Sequence, residues 1–143
     1  MIKYLYFSYM SRKYKFKNEK GAYFISFAVV NWIDVFTRDI YFSCITESLD
    51  YCRKHKGMEI YGYCIMPSHV HLIFRSLNDD PSGLIRDFKG FTSKEIMKLI
   101  EENQQESRKE WLLWMFERAG KRIVILQNGN FGNKTINQLK YGH

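Results

Sequence analysis

The chain has little proline and little cysteine. Two prolines and nine glycines in 143 residues exclude a proline-rich or collagen-like protein. The three cysteines are Cys44, Cys52 and Cys64, and they form no Cys-x-x-Cys pair, which argues against a disulfide framework and a four-cysteine zinc site. This usage is typical of a reduced, cytoplasmic protein. No apolar run approaches 18 residues, so we expect no membrane-spanning segment and no membrane partner.

Acidic residues are scarce at both ends of the chain. Glu19 is the only one in residues 1–20, and none follows Glu117. Lysine and arginine total 22 against 15 aspartates and glutamates, which gives a net charge of +7. Such a surplus suits an anionic partner, with nucleic acid first and acidic lipid second. Aromatic residues make up 17% of the chain, which excludes intrinsic disorder.

The hydrophobic pattern predicts six elements in the order strand, helix, strand, strand, helix, helix. The predicted ranges are strand 23–30, a helix capped by Thr37 and ending near Lys56 before Gly57, strands 59–66 and 69–75 around a Pro67-Ser68 turn, a helix from Pro81 to about Glu102, and a helix over 107–119. This order favours an α+β fold, with a ferredoxin-like antiparallel sheet and helices packed on one face.

Two further patterns concern the second half of the chain. Thr92 and Glu95 have the spacing of a capping box, but we prefer one continuous or slightly bent helix there because no glycine or proline lies between Gly90 and Glu102. Residues 127–138 are rich in asparagine and glycine and have no clear period, so we expect a loop or a poorly packed tail.

His69 and His71 are the residues most suited to chemistry. Residues i and i+2 of a strand face the same side, so the two imidazoles should converge. Two histidine ligands leave coordination positions open, as a catalytic metal requires and a structural zinc site does not. The spacing alone is a weak signal, because paired histidines on one face are more often surface or packing residues.

The surrounding residues make the signal specific. Residues 61–74 read Tyr-Gly-Tyr-Cys-Ile-Met-Pro-Ser-His-Val-His-Leu-Ile-Phe, which strongly resembles the His-hydrophobic-His strand of the single-tyrosine HUH transposases. The nearest groups are the insertion-sequence-200-like and REP-associated tyrosine transposases. The helix sequence 84–94 and the pair Asn31-Trp32 also resemble that family, and the resemblance extends over roughly residues 11–120.

The resemblance implies a function in DNA transposition. Enzymes of this family have a ferredoxin-like fold and act as homodimers on single-stranded DNA with hairpin ends. By this resemblance, His69 and His71 would bind Mg²⁺ or Mn²⁺, which polarises the scissile phosphate. A tyrosine hydroxyl would then attack, forming a phosphotyrosine intermediate that allows rejoining without ATP. An unperturbed tyrosine has a pKa near 10, so the metal must reduce the demand on this nucleophile.

The end of the chain departs from the family pattern. The family carries its tyrosine on a C-terminal helix in a context like Tyr-Ile-x-x-Asn-Pro, and this chain has no Asn-Pro. Tyr141 is the only tyrosine after Tyr63 and is therefore the candidate nucleophile. We interpret residues 1–10 as an extension, 11–120 as the transposase domain and 121–143 as an atypical tail produced by truncation or a frameshift. This copy is then expected to bind DNA but to cleave it poorly or not at all.

Basic residues of the fifth predicted element could bind DNA. They fall within about half of one helix circumference and are Arg86, Lys89, Lys94 and Lys98. The alternative is an ordinary solvated helix face.

A non-catalytic nucleic-acid-binding module is the alternative function. Residues 20–27 partly match the RNA-recognition signature, although that signature belongs on a third strand and here lies on the first. Such a module would have to stack bases on Tyr23, Ile25 and Phe27, whereas a transposase would not.

Overall fold

The computed structural model describes residues 16–126 and 137–138, with the side chains of residues 16–119. Its strands are β1 (Ala22–Ala28), β2 (Met58–Ile65), β3 (His69–Ser76) and β4 (Asn137–Gln138), and its longer helices are α1 (Asp39–His55), α2 (Pro81–Glu102) and α3 (Lys109–Leu126). A short helical turn, Val30–Trp32, follows β1.

The strands form one antiparallel sheet in the order β2-β3-β1-β4. Along the chain, α1 follows β1, and α2 and α3 follow β3. This order and the antiparallel sheet confirm the predicted α+β, ferredoxin-like fold. β4 pairs with Tyr23 and Phe24 of β1, so the prediction of a loop or tail is wrong for residues 137–138. The rest of that predicted loop, residues 127–136, lies outside the described residues.

One face of the sheet forms the core beneath the helices. Along β3, Val70, Leu72 and Phe74 are buried while the residues between them are half-buried, which is the alternation of a strand covered on one side. Phe27 of β1 lies on the same side, and its ring centroid is 5.9 Å from that of Phe88 in α2. Among the described residues, helices and apolar core side chains therefore share one face of the sheet, and we term the opposite face the open face.

Burial decides against the RNA-recognition alternative. Tyr23, Ile25 and Phe27 have at most 2% of their surface exposed and belong to the core. Side chains packed beneath helices present no ring face to a nucleobase, whereas the RNA-recognition module stacks bases on such positions. The stacking on these three residues that the alternative module would require is therefore excluded.

Most helix ends follow their local signals. α2 begins at Pro81, and the side chain of Asp80 accepts a hydrogen bond from the Gly83 amide, as an N-cap does. α2 runs unbroken to Glu102, which confirms the preferred single helix over a new start at a Thr92 capping box. The hydroxyl of Thr92 instead donates to the carbonyl of Phe88 within the helix.

Three other boundaries concern α1 and α3. α1 starts after Arg38, one residue beyond the predicted Thr37 cap, and Arg38 makes no side-chain cap hydrogen bond. Gly57 follows α1 with φ +67°, the left-handed conformation that glycine favours at a helix end. α3 continues to Leu126, well past the predicted end at Ala119. None of the helices in the described part of the chain is long and apolar enough to cross a membrane.

A buried glutamate joins the start of α1 to the connection between α2 and α3. Glu106 is 4% exposed, and its carboxylate lies 2.9 Å from Nε of Arg38 and 3.2 Å from Nε of Arg108. The hydroxyl of Tyr41 donates to it at 3.1 Å. Burial acts to raise the pKa of Glu106, but hydrogen bonds from Arg108 and Tyr41 outweigh burial and lower the pKa below its usual value. The charged carboxylate therefore holds the helical layer together.

Candidate metal and nucleic-acid site

His69 and His71 lie side by side on the open face of the sheet. Val70 between them points into the core with no exposed surface, so the two histidines must point away from it. Their ring centroids are 4.8 Å apart and the ring planes are nearly perpendicular, at 81°. Both residues are half-buried. The structure thus brings the two sequence-predicted ligands side by side.

Each histidine has a serine hydroxyl at its Nδ1 atom. Oγ of Ser26 lies 2.8 Å from Nδ1 of His71, and Oγ of Ser68 lies 3.2 Å from Nδ1 of His69. When Nδ1–H donates to the hydroxyl oxygen, the lone pair is placed on Nε2, the nitrogen that would bind a metal. Ser26 stands directly opposite His71 in the pairing of β1 with β3. Sequence reasoning missed Ser26 because only the strand register reveals it.

Aromatic rings flank the histidine pair at both ends. Phe24 stacks on His71 with centroids 5.6 Å apart and planes 16° apart, and the indole of Trp32 meets His69 edge-on at 5.2 Å. Together with the histidine contact, these distances form a continuous row of four rings.

Trp32 is held in this row by an unusual backbone. Asn31 and Trp32 both have φ 55°, in the left-handed region. Asparagine tolerates that region, but a bulky tryptophan there is an outlier that costs of order 1–3 kcal/mol. The strained turn is fixed by neighbours: the amide of Trp32 donates to the carbonyl of Val29, and the amide of Val29 donates to the carbonyl of Ser68.

The described residues offer a two-histidine ligand set. Within the part of the chain that the structure describes, no group of three or more His, Cys, Asp or Glu side chains could hold a metal ion. Cys64 is paired with His71 across β2 and β3, but its thiol contacts the sulfur of Met66 at 3.6 Å. Two imidazole nitrogens fit a metal that takes its other ligands from phosphate and water. That donor set suits Mn²⁺ better than Mg²⁺, which prefers oxygen ligands.

The basic residues of α2 are not brought to the histidines. Arg86, Lys94 and Lys98 are exposed. α2 packs on the covered face of the sheet, whereas the histidines lie on the open face. Their predicted role in DNA binding would therefore require the nucleic acid to contact both layers of the domain.

Lys89 differs from the other three basic residues. It is half-buried, and its ammonium nitrogen lies 5.9 Å from the centroid of the Phe27 ring, on the core side of α2. Burial lowers the pKa of Lys89 to about 8. Such a desolvated cation is less suited to a phosphate contact than an exposed one.

A further arginine belongs to the open face. Arg75 lies on β3 at the same parity as His69 and His71, and it pairs with Glu59 of β2 at 2.8 Å. Sequence analysis overlooked Arg75, although the alternation of β3 places it on this face. Its charge is largely balanced by Glu59.

The remaining predicted features lie outside the described residues. Tyr141, the candidate nucleophile, belongs to a stretch that the structure does not describe, and so does the predicted extension over residues 1–10.

Comparison of the chain with known protein families finds a match to one family model. The profile described as "Transposase IS200 like" matches residues 20–116. This span begins just before β1 and ends within α3, and it includes both histidines and their serine partners. No curated protein matches the chain. A match over more than half of the chain shows that the protein belongs to the IS200-like transposase family.

Proposed function

We propose that this protein binds single-stranded DNA with hairpin ends across the open face of its sheet and carries a metal-dependent site for cleaving and rejoining it. The observation that supports the proposal is the convergence of His69 and His71, with a serine hydroxyl at each Nδ1. A pair of imidazoles whose orientation is fixed by second partners, and which leaves coordination positions for other ligands, is the arrangement that a catalytic metal needs.

The histidines and their serine partners would have different roles in metal binding. His69 and His71 would hold Mn²⁺ or Mg²⁺, and when bound the ion supplies charge stabilisation at a phosphate oxygen. Ser26 and Ser68 would fix the tautomer and the orientation of the two rings. The half-buried position of the histidines keeps bulk water partly away, which strengthens electrostatic interactions with a bound phosphate.

The proposed cleavage also requires a nucleophile. A phosphotyrosine intermediate requires a tyrosine hydroxyl aligned with the phosphate, and Tyr141 is the candidate. Oriented attack supplies about 7–11 kcal/mol of the barrier, so a tyrosine that is not held in place would forfeit most of it. We therefore propose that this copy binds DNA as a homodimer but cleaves it poorly or not at all. The exposed residues Arg86, Lys94 and Lys98 would add DNA contacts where the strand extends beyond the open face onto α2.

Metal binding tests the proposal directly. His69→Ala/His71→Ala should abolish Mn²⁺ binding in a titration monitored by the electron paramagnetic resonance signal of free Mn²⁺. The fold should persist, because the pair lies on the open face rather than in the core. His55→Ala is the matched control, since His55 lies at the end of α1 beside Tyr51. Unchanged Mn²⁺ affinity in the double variant would refute the assignment of these ligands.

Covalent chemistry tests the second part. Incubating the protein with a labelled hairpin strand and Mn²⁺ should give little or no covalent protein–DNA adduct. An abundant adduct that disappears in Tyr141→Phe would overturn the expectation of poor cleavage and identify Tyr141 as the nucleophile. DNA binding without any effect of metal would instead favour a plain binding module.

A further inference from the structure

The indole of Trp32 stands beside the histidine pair and faces solvent. Its ring lies 5.2 Å from His69, and 52% of the Trp32 surface is exposed. A tryptophan normally loses most of its surface in a fold, because its burial is strongly favourable. A large aromatic side chain held outward next to a candidate reaction site therefore suggests a ligand that covers it.

The chain around Trp32 is rigid rather than loose. Val29 and Val35 have no exposed surface, and Ile33 is 7% exposed. The turn is also tied to the connection before β3, because the amide of Phe36 donates to the carbonyl of Pro67 at 2.9 Å. These contacts anchor the backbone that carries the indole beside His69. Binding a ligand would then cost little ordering of this residue.

The other exposed tryptophans do not share this setting. Trp111 and Trp114 lie on α3, each 48% exposed, and the guanidinium of Arg118 covers the Trp114 ring at 4.6 Å. Neither contacts a histidine among the ring contacts of the described residues. Trp111 is consequently a suitable control for Trp32, since it matches Trp32 in residue type and exposure but not in location.

We propose that Trp32 is a base-stacking subsite, which receives one unpaired nucleobase of single-stranded DNA next to the phosphate held at His69 and His71. This inference rests on the proposed function of the histidine pair and deepens it. Stacking on an indole accepts any base, because every base has a π-face, so the subsite would fix the position of the strand rather than read its sequence. Trp32 acts as a positioning residue here and not as a catalytic one.

Binding to single-stranded DNA measures the effect. In a buffer with EDTA, so that metal loading does not contribute, Trp32→Ala should weaken affinity by about 5- to 150-fold, the range found for loss of one stacked base. Trp32→Phe should lose less, and Trp111→Ala should leave affinity unchanged. Trp32→Gly serves as a second variant that suits the left-handed backbone, which keeps the test valid if the alanine variant folds poorly.

An abasic scan separates stacking from a structural role. One abasic nucleotide is moved along the strand, and affinity is measured for the wild type and for Trp32→Ala. The penalty of the substitution should vanish at one position only, where the base that Trp32 would stack is already missing. The slope of log affinity against log salt should stay the same, because an indole neutralises no phosphate.

The outcomes distinguish this inference from the proposed function. A Trp32→Ala penalty that is absent, or equal at every abasic position, overturns the subsite even if His69→Ala/His71→Ala abolishes Mn²⁺ binding. A penalty that vanishes at one abasic position only supports the subsite even if the histidine variant binds Mn²⁺ normally, a result that would refute the metal site alone. Wild-type protein that binds no single-stranded DNA overturns both.

Discussion

Removing the hydroxyl of Ser26 should weaken metal binding without disturbing the fold. Oγ of Ser26 lies 2.8 Å from Nδ1 of His71, a short hydrogen bond, whereas Ser68 lies 3.2 Å from Nδ1 of His69, near the long end of the usual range. Loss of such a partner behind a ligating histidine typically costs about 10- to 100-fold in metal affinity. We expect about 30-fold for Ser26→Ala, or about 2 kcal/mol, and about 10-fold or less for Ser68→Ala.

Isothermal titration with Mn²⁺ checks these values. Ser93→Ala is the matched control, because it removes a serine hydroxyl that donates to the carbonyl of Lys89 within α2, on the covered side of the sheet. Its Mn²⁺ affinity should equal that of the wild type. Ser26 is half-buried on the open face, so Ser26→Ala should change the free energy of unfolding by only about 1 kcal/mol.

A double-mutant cycle decides whether Ser26 acts through His71. In a His71→Ala background, Ser26→Ala should have no further effect on the residual Mn²⁺ affinity, because the hydroxyl then has no imidazole to orient. Wild-type affinity in Ser26→Ala would refute the role of the hydroxyl. An equal loss with and without His71 would show that Ser26 acts on the fold instead.

Three other predictions concern charged side chains. Glu106→Gln should lower the free energy of unfolding by about 2–3 kcal/mol at pH 7, less than for a fully buried pair because Arg38 and Arg108 are 38% and 34% exposed. In urea titrations this loss should shrink below about pH 4, because falling pH protonates Glu106 in the wild type. A loss that persists at low pH would contradict the role of the charged carboxylate. The pKa of Lys89 is lowered to about 8 in the folded protein, so between pH 8 and about 10 the unfolded state binds more protons than the folded state. The free energy of unfolding of the wild type should therefore rise with pH across that window. A rise that persists in Lys89→Met would contradict the assignment of this pH dependence to Lys89. Lys94→Gln should flatten the log–log salt dependence of single-stranded DNA affinity by roughly 0.7, and an unchanged slope would exclude a phosphate contact.

The amino-acid sequence by itself determined the elements and their class. Alternation along β3, the apolar stripe of α2 and the Pro81 start are local patterns, and local geometry obeys them because periodicity decides which side chains can be buried together. The parity of His69 and His71 is equally local, since it follows from one strand alone. The motif around these histidines further indicated the family that the profile match then showed.

The sequence predicted the ends of helices less accurately than their positions in the chain, because packing competes with local end signals. The predicted Thr37 cap and the capping box at Thr92 are side-chain signals that compete with packing against neighbouring elements. Thr92 is completely buried between turns of α2, where its hydroxyl bonds the helix backbone. α3 likewise continues to Leu126, past the predicted end at Ala119.

Only the tertiary structure decided what surrounds the histidines. Ser26 and Phe24 lie more than forty residues before His71, and the register of β1 against β3 brings them to it. Trp32 reaches His69 through a left-handed turn, which bulky residues adopt only when surrounding contacts enforce it. The tertiary structure also decided that the basic residues of α2 lie away from the open face. Helical spacing determines which residues share one face of a helix, but not which side of the sheet the helix covers.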